Sequence, residues 1–163
     1  MKKQDDVTNL ADLIQTRTHH LLKNDGDEIL IFGLKSAVGI MATTTMILAD
    51  GTFKCVLPDY FQLYILHAVV QNNVSFPMFY CLLKGKDGDF YTRLLELIEE
   101  IAREDRTAIF NRPVTVMSDF EAAFIDSVKT LFPLVNVKCC FLFYEEHPHS
   151  SDASDDHDKT VCW

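Results

Sequence analysis

The stretch Thr43-Thr44-Thr45-Met46-Ile47-Leu48-Ala49-Asp50-Gly51 joins β-branched and apolar residues to an aspartate and a glycine. Such a run favours a β-strand, and the glycine after the aspartate favours a turn. A carboxylate at the end of a buried strand is held in position while its oxygen atoms stay accessible to a hard cation such as Mg²⁺. This stretch therefore predicts a strand that ends in a candidate metal ligand, Asp50.

A second stretch has the same form. Val114-Thr115-Val116-Met117 predicts a short strand, Ser118-Asp119 follows it, and residues 120–131 predict a helix that ends before Pro133. One aspartate at a strand end carries little information, whereas two in one domain indicate a shared metal site. The residues alone leave an alternative open, in which both aspartates are turn and N-terminal helix residues without a ligand.

The other elements are predicted from the spacing of apolar residues. They are a helix over 8–22, a strand over 28–34, a helix over 35–41, strands over 60–70 and 76–83, a helix over 90–103 and a strand over 134–144. Asn24-Asp25-Gly26-Asp27 is expected to end the first helix, and Asp89 is the predicted N-cap of the 90–103 helix. The short links between the first strands favour antiparallel pairing.

This order of elements predicts an α/β domain with a mixed sheet, in which three antiparallel strands precede two parallel strands with intervening helices. The predicted organisation is an N-terminal helical and polar lead over 1–27, one domain over 28–144 and an acidic, disordered tail over 145–163. A chain of 163 residues with 48% hydrophobic content is long enough for one core.

Composition limits where the protein works and what it binds. No apolar run reaches the roughly 20 residues of a membrane span, and the polar N-terminus does not resemble a signal peptide. The five cysteines are odd in number and mostly lie in apolar runs, which favours reduced thiols and an unsecreted protein of the nucleus or cytoplasm. The net charge of −9 argues against a generic nucleic-acid surface.

Several short motifs are spread over the 28–144 segment. They are Asp50-Gly51-Thr52-Phe53-Lys54, Pro58, Phe61-Gln62-Leu63, His67, Phe76-Pro77, Tyr80, Leu82-Leu83, Lys86, Tyr91-Thr92-Arg93, Asp119-Phe120-Glu121-Ala122-Ala123 and Phe132-Pro133. Together they resemble the catalytic domain of Mutator-like element (MULE) transposases, in the ribonuclease-H-like DDE superfamily. The resemblance implies a five-stranded mixed sheet and three acidic residues that bind Mg²⁺ or Mn²⁺ for DNA cleavage and strand transfer. Asp50 and Asp119 match the first and second acids.

The third acid of that family has no clear counterpart. The resemblance implies a glutamate on a helix after the last strand, beyond a Cys-Phe-x-His-like signature. Cys140 keeps the cysteine, Phe143 stands where the histidine would fall, and Glu145 and Glu146 follow the strand too closely to be helical ligands of that kind. The sequence therefore predicts a ribonuclease-H-like domain that is truncated in its C-terminal part, with an incomplete metal triad.

Three functional hypotheses follow from this. The first is a MULE transposase-derived domain, ancestrally a metal-dependent DNA-cleaving and strand-transferring enzyme, that is inactive alone and binds Mg²⁺ or Mn²⁺ weakly through Asp50 and Asp119. The second is a repurposed interaction module, which binds a protein partner or a second copy of itself through the sheet surface, an exposed edge or the acidic tail. The third is an active nuclease that takes its missing ligand from another chain or from Glu121.

Other polar residues receive structural interpretations. Glu121 is expected in the first turn of its helix, where the helix dipole favours an acid. His67 is expected to be a packed or hydrogen-bonded sheet residue. Lys84, Lys86 and Arg93 could contact DNA phosphate if they shared a surface, but on an acidic domain the three cations are expected to be solvated.

Overall fold

The computed structural model describes residues 20–52, 58–119 and 121–139. These residues form seven β-strands, three α-helices and one 3₁₀ turn. In chain order the elements are β1 (His20–Asp25), β2 (Ile29–Gly33), α1 (Lys35–Thr43), β3 (Met46–Thr52), β4 (Gln62–Val70), the 3₁₀ turn (Gln71–Asn73), β5 (Val74–Leu83), α2 (Gly88–Glu104), β6 (Val114–Ser118), α3 (Ala122–Leu131) and β7 (Val135–Cys139).

All seven strands belong to one sheet, in the order β1-β2-β5-β4-β3-β6-β7. The pairs β1–β2, β2–β5, β5–β4 and β4–β3 are antiparallel, whereas β3–β6 and β6–β7 are parallel. The five adjacent strands β5, β4, β3, β6 and β7 form the mixed sheet of a ribonuclease-H-like α/β fold. The β1–β2 hairpin extends this sheet beyond β5. The predicted fold class is therefore confirmed.

The main core lies between the sheet and the three helices. Side chains that point to this face alternate along the strands, as Ile47 and Ala49 do in β3 and Tyr64 and Leu66 do in β4. They pack in one cluster with buried residues of all three helices, among them Met41, Leu94, Phe124 and Val128. Burial of this apolar surface is the main favourable term in folding, at about 25 cal/mol per Å².

The opposite face of the sheet carries a separate and smaller cluster. Leu30, Phe32 and Leu82 are buried there, and Tyr60, Leu63 and Tyr80 pack against them. None of the three described helices contributes to this cluster. The sheet therefore has one face covered by helices and a second face without a described helix.

The N-terminal prediction is wrong for residues 20–22. They lie in β1 instead of the end of a helix, because Asp25-Gly26-Asp27-Glu28 forms a tight turn that folds the chain into a hairpin. Gly26 and Asp27 both have φ of 61°, and the Glu28 backbone N–H donates to the Asp25 carbonyl at 3.1 Å. Two consecutive positive φ values are typical of the turns that connect hairpin strands. The remainder of the predicted helix, 8–19, lies outside the described residues.

Several element boundaries also differ from the prediction, the start of α2 among them. Helix α2 begins at Gly88, and its N-cap is Asp87 instead of Asp89, since an Asp87 carboxylate oxygen accepts the backbone N–H groups of Asp89 and Phe90 at 3.1 and 3.2 Å. Strand β7 is described to Cys139, and the predicted continuation over 140–144 and the tail over 145–163 lie outside the described residues. No described helix is long and apolar enough to cross a membrane.

Candidate metal centre

The parallel pairing of β3 and β6 brings the two predicted aspartates to one end of the sheet. Ala49 pairs with Ser118 in this ladder; Asp50 is the next residue of β3, and Asp119 directly follows the last residue of β6. Asp50 also pairs with Ile65 of β4, so its side chain points away from the helix-covered face, on the same face as Ile65 and His67. The structure therefore places Asp50 and Asp119 next to each other, as the sequence predicted.

The electrostatics of Asp50 show that the two carboxyl groups interact. Burial raises the pKa of Asp50 above its ordinary value of 3.8, and the negative charge of Asp119 raises this pKa further. The positive charge of His67 and a hydrogen bond from the Gly51 backbone N–H oppose this rise in pKa. Two half-buried carboxylates that repel each other form a site that a divalent cation would stabilise.

A hydrogen-bonded chain connects Asp119 to the core. The Ser118 hydroxyl donates to Oδ1 of Asp119 at 3.2 Å, and the Tyr64 hydroxyl lies 3.4 Å from the Ser118 Oγ. Tyr64 is fully buried, and its ring contacts Phe124 with 5.0 Å between centroids. Burial raises the pKa of Tyr64 well above its ordinary range, so its hydroxyl stays protonated. The core therefore limits how the Ser118 hydroxyl can orient Asp119.

The sequence did not indicate that chain of hydrogen bonds. Tyr64 is a core residue, but the sequence gives no partner for its hydroxyl and no role for Ser118. The available signal was the period of two in β6: Val114, Val116 and Ser118 are buried on one side, so a serine at the third of these positions needs a polar partner.

Glu121 is a third acid near the two aspartates. It is half-buried at the N-cap position of α3, before the first turn where it was expected, and it makes no capping hydrogen bond. The pKa of Glu121 is raised, chiefly by burial and further by the negative charge of Asp119. A hydrogen bond from the Tyr91 hydroxyl and the positive charge of Lys86 oppose this rise. The Glu121 carboxylate thus lies among Tyr91, Asp119 and Lys86, not against the helix backbone.

A buried polar pair supports Tyr91 in this position. The Gln62 side-chain amide donates to the Tyr91 hydroxyl at 2.8 Å and to the Gly85 carbonyl at 3.2 Å. Gln62 is the first residue of β4 and is fully buried. Because a buried amide is costly without partners, this pair fixes the Tyr91 hydroxyl at the end of the sheet that carries Asp119.

His67 is a sheet residue of β4, as predicted, and pairs with Leu48 of β3. Burial lowers the pKa of its imidazole, and the charge of Asp50 opposes this change. Its Nδ1 atom is buried and has no hydrogen-bond partner among the residues that the structure describes. His67 therefore adds a half-buried imidazole to the face that carries Asp50.

The three predicted solvent-exposed cations differ in their surroundings. Arg93 is held by acids: its Nε and one terminal nitrogen donate to both carboxylate oxygens of Asp25 at 2.8 and 3.0 Å, and Glu100 accepts at 3.3 Å. The expectation of a solvated Arg93 is therefore wrong, because β1 brings Asp25 against α2. Lys84 and Lys86 are exposed, with their ammonium groups near the rings of Tyr60 and Phe61.

Within the three described ranges, no group of three or more histidine, cysteine, aspartate or glutamate side chains is arranged to hold a metal ion. The nearby acid Glu121 is turned toward Tyr91. At this end of the sheet Asp50 and Asp119 are therefore a neighbouring pair of carboxylates, with Glu121 beside them.

Comparison with known families agrees with this geometry. The family model of the MULE transposase domain matches residues 46–145, which is more than half of the chain. This chain belongs to the MULE transposase family. The match begins at Met46, the first residue of β3, and includes Asp50 and Asp119; the β1–β2 hairpin and α1 precede it. No match was found among curated proteins.

Proposed function

We propose that this MULE domain derives from an enzyme of metal-dependent DNA cleavage and strand transfer, and that it has no such activity alone. In this proposal Asp50 and Asp119 bind Mg²⁺ or Mn²⁺. The observation that carries it is the register of β3 and β6, which brings both aspartates to one end of the sheet, where the charge of Asp119 raises the pKa of Asp50. The sequence after the last strand supports inactivity, because Phe143 stands where the family's histidine would fall and Glu145 and Glu146 follow the strand too closely to be the third ligand.

The donor set fits a hard divalent cation. Carboxylate oxygens are preferred ligands of Mg²⁺ and Mn²⁺, and a cation would remove the repulsion between Asp50 and Asp119. When bound, such an ion supplies Lewis acidity to a phosphoryl oxygen. The chain's own contribution is to hold the ligands: the Gly51 N–H hydrogen bonds to Asp50, and the Ser118 hydroxyl hydrogen bonds to Asp119.

Calorimetric titration with Mg²⁺ and with Mn²⁺ tests the metal ligands. We expect weak binding, with a dissociation constant on the order of 1 mM, because two carboxylates offer few fixed oxygen atoms. Asp50→Asn and Asp119→Asn should each abolish this binding. Asp126→Asn is the matched control, since Asp126 is an exposed acid of α3. Unchanged binding in Asp50→Asn would overturn the assignment, and tight binding by the unmodified chain would show a further ligand.

Cleavage and joining of oligonucleotides with inverted-repeat ends, in Mg²⁺ or Mn²⁺, tests the inactivity. We expect no turnover by this chain alone. Turnover that disappears in Asp50→Asn and Asp119→Asn would contradict this part of the proposal. Glu121→Gln then decides the source of the third ligand: loss of that turnover would assign the role to Glu121, whereas retention would point to another chain.

The sheet face that carries no described helix supports a second candidate function, the interaction module. All three described helices pack on one face, and on the other face Leu21, at the edge strand β1, is 44% exposed. A strand edge without a described partner, with an exposed apolar side chain beside it, is a feature of protein-binding surfaces. Light scattering across a range of concentrations and pull-down with purified domain would test it, and a monodisperse monomer without a partner would count against it.

A further inference from the structure

Residues 60–61, which precede β4, and residues 84–86, which follow β5, lie at the same end of the sheet as Asp50. Thr52 at the end of β3 pairs with Leu63, and Gln62 at the start of β4 pairs with Leu83 at the end of β5. The Phe61 backbone N–H donates to the Leu83 carbonyl at 2.8 Å, which extends this pairing by one residue. Tyr60 and Phe61 are thereby placed beside residues 84–86, at the end of the sheet that carries the acids.

Two lysines and two aromatic rings meet there. The Lys86 ammonium lies 5.2 Å from the centroid of the Phe61 ring, and the Lys84 ammonium lies 5.8 Å from that of Tyr60. Both lysines are exposed, and neither forms a salt bridge within the described part of the chain. Phe61 is 44% exposed, so part of its ring surface is accessible.

The position of Lys86 links this group to the acids. Lys86 stabilises the negative charge of Glu121, which in turn is near Asp119. A chain bound across Phe61 and Lys86 would therefore approach the candidate metal centre. On the other side, Asp27 and Asp59 bring negative charge near Tyr60, so the Phe61–Lys86 side is the more favourable one for a phosphate.

We propose that Tyr60, Phe61, Lys84 and Lys86 form a strip that binds single-stranded DNA beside Asp50 and Asp119. In this strip a base stacks on the Phe61 ring, and the two ammonium groups contact phosphates. That DNA is the ligand rests on the proposed function; the strip itself rests on the contacts and exposure above. A single strand fits better than a duplex, because two lysines on a chain of net charge −9 give little general attraction and only an unpaired base can stack.

Fluorescence anisotropy with a labelled oligothymidylate of about 12 nucleotides, at low salt and with EDTA, tests the strip without metal. We expect Phe61→Ala to weaken binding about tenfold, which is within the range measured for base stacking on aromatic residues. The matched control is Phe76→Ala, because Phe76 is 49% exposed and lies near the start of β5, at the opposite end of the sheet. Equal affinities of these two variants would overturn the stacking role.

The lysines are tested through the salt dependence of the same binding. Removing two phosphate contacts should reduce the slope of log K against log salt by about 1.4, at roughly 0.7 per contact for single strands. The variant with Lys84→Ala and Lys86→Ala should show this reduction. The variant with Lys35→Ala and Lys129→Ala removes the same charge from exposed sites away from the strip and should not. Equal slopes would overturn the phosphate contacts.

A change in tryptophan fluorescence gives a second measurement that does not depend on loss of binding. Phe61→Trp keeps a stacking surface, and its fluorescence should be quenched when the oligonucleotide binds, above the background of Trp163. The strip would be overturned if Phe61→Trp showed no quenching and the unmodified chain showed no binding. Asp50→Asn separates the two proposals. If the unmodified chain and Asp50→Asn bind the oligonucleotide equally and neither binds metal, the metal centre alone is refuted. If the unmodified chain binds metal, Asp50→Asn does not, and neither binds the oligonucleotide, the strip alone is refuted.

Discussion

Carboxylates lie at both ends of the sheet, but the two sites are built differently. At the end where β6 begins, the Glu99 side chain of α2 is 1% exposed. One of its oxygens accepts the backbone N–H groups of Ile109, Phe110 and Asn111, and the other accepts the Asn111 side-chain amide. At the other end, Asp50 accepts a hydrogen bond from the Gly51 N–H, and Asp119 accepts one from the Ser118 hydroxyl.

The comparison shows how a structural carboxylate differs from an available one. Four donors surround Glu99, so its charge is satisfied inside the protein and fixes the loop that leads into β6. Asp50 and Asp119 have fewer donors and repel each other, so their oxygens retain capacity for a ligand. Groups of this second kind mark candidate functional sites, because folding alone does not explain why the repulsion is kept.

The largest effect is expected from Glu99→Ala. The change would leave three backbone N–H groups and one amide without their acceptor, and each unsatisfied buried group costs about 1–3 kcal/mol. We therefore expect the free energy of unfolding to fall by about 3 kcal/mol or more in urea titration. Glu96→Ala is the matched control one turn earlier on α2, where the side chain is 47% exposed, and should change stability by less than about 0.5 kcal/mol. Similar losses in both variants would show that Glu99 is not the anchor of the loop.

An effect of opposite sign is expected from Asp50→Asn in the absence of metal. The folded-state pKa of Asp50 is raised, so its ionised form destabilises the fold at neutral pH. The variant should then be more stable than the unmodified chain, by no more than about 1 kcal/mol because solvent screens a half-exposed carboxylate. The stability difference should be full above the raised pKa and should disappear as the pH falls toward 3.8, where the unfolded chain also binds the proton.

Added Mg²⁺ sharpens this result, because a ligand that binds the folded state stabilises it. The advantage of Asp50→Asn should shrink as Mg²⁺ is added, since only the unmodified chain gains from the ion. Asp126→Asn, at an exposed site of α3, should show neither the gain nor its loss with Mg²⁺. A destabilised Asp50→Asn variant would mean that Asp50 is a structural carboxylate like Glu99.

The two ends of the sheet were not equally predictable from the sequence. Asp50 and Asp119 could be found because each follows a short apolar strand, and such local patterns fix the strand and its end together. Glu99 could not be distinguished from Glu96 or Glu100, because its donors come from a loop that is brought back by tertiary packing. The same limit applies to the partners of Ser118 and Gln62.

The N-terminal hairpin shows a further limit. The apolar residues of 8–22 fitted a helix, but the tight turn at Gly26 and Asp27 and the edge of β2 that faces away from β5 decide the structure of residues 20–25. Periodicity over a short segment carries no information about which edge is available for pairing. Arg93 was misjudged for the same reason, since its partner Asp25 is supplied by that hairpin.

The smallest effect is expected where the hairpin meets α2. Arg93→Ala removes the two hydrogen bonds to Asp25, and because both side chains are more than a third exposed, solvent screening limits the loss to about 0.2–1 kcal/mol. The pKa of Asp25 is lowered from 3.8 by Arg93, so the pair contributes above that value and its contribution is lost as the pH falls below it. Urea titrations at neutral pH and near pH 3, with and without about 0.5 M NaCl, should show a loss that both acid and salt reduce. A loss that neither changes would mean that Arg93 stabilises the hairpin by packing of its aliphatic stem, which Arg93→Met would then restore.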